Sequence, residues 1–166
     1  MSKSATLASK KADSGVCTID LVQQHADLIR RGEARVKPGQ PATFTAVCTP
    51  DDVIAQGDLY ISPFAGEIPG DYVLREELKT QQDLQLVPGN TQGARHCLST
   101  GVGVKMWHPK NWDGNDLRGP IVQAQNGVEI LHPTHGTVTL LPGQMYICGY
   151  QPEYDAQLRA ERRNAD

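Results

Sequence analysis

Apolar residues along this chain follow one helical stretch and then a long series of short alternating runs. From Thr18 the segment TIDLVQQHADLIRRG puts Leu21, Val22, His25, Leu28 and Ile29 on one side at helical spacing. Asp20 lies early and Arg30 and Arg31 late, as the helix dipole favours, with Thr18 to cap the start and Gly32 to end it. This pattern predicts an amphipathic helix. Its stripe has to be covered by the domain or by a partner, and Leu21 and Leu28 are candidate contact residues.

After Gly32 the helical period is lost, and β-branched or alternating runs recur between turn residues. They predict strands near 41–48, 57–62, 83–87, 101–107, 120–125, 128–132, 137–141 and 144–150. The last four read as a meander, with Asn126-Gly127 as a two-residue hairpin turn and Pro142-Gly143 as the next reversal. Past Tyr150, Pro152 followed by early acids and late arginines predicts a short closing helix. The expected fold is mainly β, a small antiparallel barrel or sandwich with an N-terminal amphipathic helix and a short C-terminal helix. The expected divisions are a polar arm over 1–16, helix and linker over 17–40, a β-domain over 41–150, and the terminal helix or tail over 151–166.

Composition narrows the classes of function. A chain of 166 residues suffices for one cored domain. Its net charge of -3 gives no general attraction to phosphate backbones, and the one dense basic patch is Arg159, Arg162 and Arg163. No stretch approaches a membrane span, and the polar start lacks the apolar core of a secretory signal. Cys17, Cys48, Cys97 and Cys148 stand singly, which disfavours a zinc ribbon or a CxxC redox site and predicts reduced, mostly buried thiols.

Candidate chemistry centres on HPTHG, residues 132–136. A tight turn with Pro133 at its second position brings His132 and His135 together, and His96 or Cys97 of GARHCL is the nearest candidate for a third ligand. Three histidines before an LPG turn loosely resemble a cupin, although the closely spaced His pair and following acid of that pattern are missing. The structural reading is a loop; the rival reading is a metal site of His96, His132 and His135. No nucleotide loop, nucleophile elbow or paired acids accompany them. The loop over 107–120 carries Trp107, Trp112 and Arg118, residue types that anchor protein contacts, with a sugar platform as the alternative. Asp113, Asn115 and Asp116 lack the later Glu of a calcium loop and read as turn chemistry.

QGDLYI (56–61), GNTQGARH (89–96), HPTHG with TVTLLPG (132–143) and the YQPEYD end together resemble small β-rich proteins of tailed bacteriophages and bacteria, over roughly residues 50–166. Similar chains often carry GHxH where GARH stands here, so an arginine replaces one possible ligand. The resemblance implies a phage or mobile-element setting, hence a virion or the cytoplasm of the producing bacterial cell. The expectation is a non-enzymatic structural or interaction protein without a cofactor, whose partners are other protein subunits in a homo-oligomer or larger assembly, and not nucleic acid or membrane.

Overall fold

The computed structural model describes residues 40–87, 95–112 and 117–150, together with the backbone of two strands in 152–163. The expected arm, the helix carrying Leu21 and Leu28, Cys17 and the Asp113–Asp116 cluster lie outside the described residues.

Twelve strands follow in chain order: β1 (Ala42–Thr43), β2 (Ile54–Gln56), β3 (Leu59–Phe64), β4 (Tyr72–Arg75), β5 (Cys97–Leu98), β6 (Val104–Pro109), β7 (Arg118–Ala124), β8 (Val128–Leu131), β9 (Val138–Leu140), β10 (Met145–Tyr150), β11 (Pro152–Asp155) and β12 (Ala160–Arg163). They form a six-stranded sheet ordered β2-β3-β10-β7-β6-β4 and a four-stranded sheet ordered β1-β9-β8-β5, with β11 and β12 as a separate pair. The protein is mainly β, and neither sheet closes into a barrel. The described residues contain no helix, and so none long and apolar enough to cross a membrane.

Alternation along the strands decides what is buried. On β10, Tyr146, Cys148 and Tyr150 point to one side and meet Leu59, Ile61, Met106 and Val122 of the large sheet. Phe44, Leu98, Val128, Ile130, Val138 and Leu140, in or beside the small sheet, complete the same core. The two sheets therefore bury their inner faces in one apolar cluster, each large side chain contributing about 1.5–3 kcal/mol. Phe44 packs at a tilt against Tyr146 across the layers, centroids 4.8 Å apart. Cys97 and Cys148 are buried free thiols and Cys48 a half-buried one. Burial alone pushes the Cys148 thiol up to about 12, which keeps it protonated and inert at neutral pH.

Several expectations need correction. The strand runs from 120 to 150 do not form a meander, because β7 and β10 belong to the large sheet and β8 and β9 to the small one. Only β8 and β9 pair as a hairpin. Gly127, at φ 77°, does supply the left-handed residue its turn needs, but the turn carries the chain from one sheet over the shared core to the other. Pro142-Gly143 carries it back. Residues 83–87 contribute one isolated bridge, Gln85 to Cys97, because the Asp83 carboxylate folds back on Thr80 N–H and Oγ1, at 2.8 and 2.7 Å, and makes a turn. The expected antiparallel order is broken once, by parallel pairing of β1 with β9.

At the C-terminus, β11 and β12 pair antiparallel with Pro152 opposite Arg163, in place of the expected helix. A helix of about a dozen residues is marginal without a packed face, whereas proline is tolerated as the first residue of a strand.

Candidate functional site

The fold gathers the three candidate histidines at one place. His96 immediately precedes β5, while His132 and His135 sit in the β8–β9 turn. His132 lies 4.4 Å, centroid to centroid, from both His96 and His135, and the outer two rings are 6.5 Å apart. The turn between β2 and β3 supplies the remaining wall, through Gly57 and Asp58.

Gln56 organises the centre. It faces inward from β2, fully buried, and its amide nitrogen donates to Ile130 O at 3.0 Å and Gly136 O at 2.6 Å. These two carbonyls fix the amide, so Oε1 faces His96 Nδ1 at 3.0 Å and that nitrogen must carry a hydrogen. On its other side, His96 Nε2 lies 2.8 Å from Asp58 Oδ1, with one proton between them. Both nitrogens of His96 are thus committed, within a side chain that is 2% exposed.

His132 is committed differently. Its Nδ1 accepts from the backbone N–H groups of Thr134 and His135, both at 3.2 Å, and faces the Thr134 hydroxyl at 3.3 Å. The imidazole caps its own turn much as an Asn or Asp side chain does. With Nδ1 accepting, the neutral ring carries its hydrogen on Nε2, a buried donor that finds no partner. Burial, then the neighbouring His96 and His135, hold this imidazole down to about 4, with Asp58 opposing. An unfolded His132 takes up its proton near 6.5. Between 6.5 and about 4 the unfolded chain therefore binds more protons, and stability falls as pH drops through that window.

His135 is half-buried against Gly57: a Cβ built there would lie 2.6 Å from its Nε2. Gly57 is also in the left-handed region at φ 61°, and it is this backbone conformation that favours glycine.

Metal binding would need nitrogen lone pairs aimed at one point. His96 directs its two nitrogens to Gln56 and Asp58, and the His132 lone pair is turned onto the backbone. Among the described residues no group of three or more His, Cys, Asp or Glu is arranged to hold an ion. The gathering of His96, His132 and His135 is real, but its nitrogens do not present a metal-ligand set.

A family model for a domain of unknown function (DUF8820) matches residues 55–151. The chain belongs to this family. The matched span is more than half the chain and takes in Gln56, Gly57, Asp58, His96, His132 and His135, while β1 precedes it. No curated protein and no solved structure matches the chain.

Of the other candidates, Trp107 and Arg118 are associated with the outer face of the large sheet, whereas Trp112 sits against His108, which alternates with Trp107 on β6. Trp107 on β6 packs half-buried beside Tyr72, Ile121 and Ile147. Trp112 stacks on His108, centroids 5.6 Å apart, and its indole nitrogen is buried without a partner. One face of that ring is taken by His108. Arg118 opens β7 and pairs with Asp71. Gln56 and Asp58 were not evident as site residues from the pattern. The available signal was Gln56 standing two places after Ile54, at an inward position of an apolar strand.

Proposed function

We propose that this is a non-enzymatic structural or interaction protein, built as a two-layer β-sandwich, that grips neighbouring protein subunits in a homo-oligomer or larger assembly. What carries the reading is an apolar row on the outer face of the large sheet, buried at its centre, that comes into the open at the sheet's edge. Leu74, Trp107, Ile121 and Ile147 stand opposite one another across β4, β6, β7 and β10. Ile121 and Ile147 are buried and Trp107 half-buried, whereas Leu74 is 44% exposed. Next to it Val73, on the opposite face of β4, is 40% exposed.

Among the described residues no strand pairs with the far side of β4. Tyr72 N–H on this edge is already donated to Pro69 O, and natural edge strands that stay solitary are usually guarded by charge, proline or short length. Here Val73 and Leu74 are uncharged, ahead of Arg75 at the end of the strand, and aromatic Trp107 lies directly beside Leu74. The Asp71-held Arg118, which opens β7, adds a residue type suited to an interface. The motif resemblance supports reading such a contact as one made within a bacteriophage particle, as a capsid, connector or tail-associated part. The committed nitrogens of His96 and His132 support a body that serves as scaffold.

The test is the mass of the full chain in solution before and after Leu74→Lys. Sedimentation should give an assembly for the parent and a smaller species for the variant, with the thermal midpoint unchanged, since an exposed position contributes little to the monomer. A parent that remains monomeric at high concentration, or a variant that assembles equally well, contradicts the proposal.

A further inference from the structure

We propose that the HPTHG turn is an acid-released latch for the first strand: the Nδ1 lone pair of His132 holds the turn, the turn holds β1, and protonation of that nitrogen frees both. The first link is the cap already described, in which Thr134 and His135 donate their backbone N–H groups to one imidazole nitrogen. An imidazolium has no lone pair and would point an N–H at two other N–H groups. Protonation therefore turns the attraction at the centre of the turn into a repulsion.

The second link is mechanical. Immediately after the capped residues, Gly136 packs so closely on the chain entering β1 that a Cβ there would overlap Gln40 O. Ala42 N–H donates to Thr137 O at 2.8 Å, and Ala42 and Thr43 pair in parallel with Val138 and Thr139. β1 is two residues long and occupies the edge of its sheet, where local opening takes the least free energy. Its seat is the backbone of 136–139, which the turn positions.

The charged and titratable groups facing His132 come from three elements. Asp58 of the β2–β3 turn favours the cation; His96 before β5 and His135 of the same turn oppose it, as does burial. Asp58 is engaged by His96. The turn consequently stays closed at neutral pH, and the release falls near pH 4, where the folded His132 takes its proton.

The experiment follows amide exchange of the full chain between about pH 6 and pH 4, with protection corrected for the intrinsic rate at each pH, beside a His132→Asn variant. Asparagine accepts the same two N–H groups through its side-chain oxygen and cannot be protonated. In the parent, protection of Ala42, Thr134 and His135 should fall by roughly tenfold or more across this range. The amide of Ile121 in central β7 should hold, and the midpoint should coincide with the titration of the His132 ring. The variant should keep all of them protected. The latch is refuted if the parent shows no selective loss, if Ile121 opens in step with Ala42, if ring and strand midpoints differ, or if the variant opens like the parent.

Discussion

Replacing Gln56 with leucine should lower the unfolding free energy by roughly 3 kcal/mol or more, although leucine is apolar, of similar size and enters a fully buried position. Burial of hydrocarbon argues for a neutral or favourable change. The partners left behind argue the other way and outweigh it. Without the amide, Ile130 O and Gly136 O lose a shared donor, and the His96 Nδ1–H loses its acceptor. Each buried group stranded in this way costs about 1–3 kcal/mol. Against a total of about 5–15 kcal/mol for an ordinary domain, the shift in denaturation midpoint should be large. Gln56→Glu should fail similarly, since a carboxylate cannot donate to two carbonyls. A midpoint change equivalent to less than about 1 kcal/mol for the leucine variant would mean that water or rearrangement replaces the three bonds.

Gly136→Ala should have the second largest effect, and a local one. The added methyl would overlap the carbonyl oxygen and carbon of Gln40 and stand 3.0 Å from its nitrogen. All three are backbone atoms, so no flexible side-chain tip is there to swing aside. The chain entering β1 must move, and the Ala42-to-Thr137 bond must lengthen with it. Overpacking of this kind typically costs about 1–3 kcal/mol. The expected signature is lost amide protection at Ala42 with the large sheet intact. Gly143→Ala is the control: a methyl added there meets no atom within 4 Å, and only the backbone φ of 74° opposes the change. If Gly136→Ala keeps Ala42 protected, or behaves like the control, the close seating of β1 on the turn is wrong.

The strand-rich body was legible because its core residues alternate. Val128 and Ile130, Val138 and Leu140, and Tyr146, Cys148 and Tyr150 each mark one face of a strand. Which sheet a strand joins was not legible. Asn126-Gly127 offers the same positive φ whether it closes a hairpin or takes the chain over the core, and only long-range packing decides. β4 escaped notice because Tyr72, Val73 and Leu74 give a short run that passes at once into charged Arg75, Glu76 and Glu77.

At the site, the spacing of His132 and His135 and the choice of His96 as third member did identify side chains that meet. Their roles depended on partners far away in sequence. Gln56 reaches residues 40, 74 and 80 positions distant, and Asp58 reaches His96 across 38. A buried amide in a strand looks, in sequence, like any outward-facing polar residue. The direction of each nitrogen, which separates a turn cap from a metal ligand, is a property of the assembled turn alone.

Nitrogen-15 resonances of the imidazole rings in the full chain at neutral pH address that distinction most directly. The structure requires His132 to be a neutral ring with hydrogen on Nε2 and an accepting Nδ1, and His96 to keep hydrogen on Nδ1. These patterns should be unaltered when zinc is added in equimolar amount. A His132 ring with hydrogen on Nδ1 and a bare Nε2, or zinc shifting Nε2 of His96, His132 and His135 together, would show that the cluster is a metal centre.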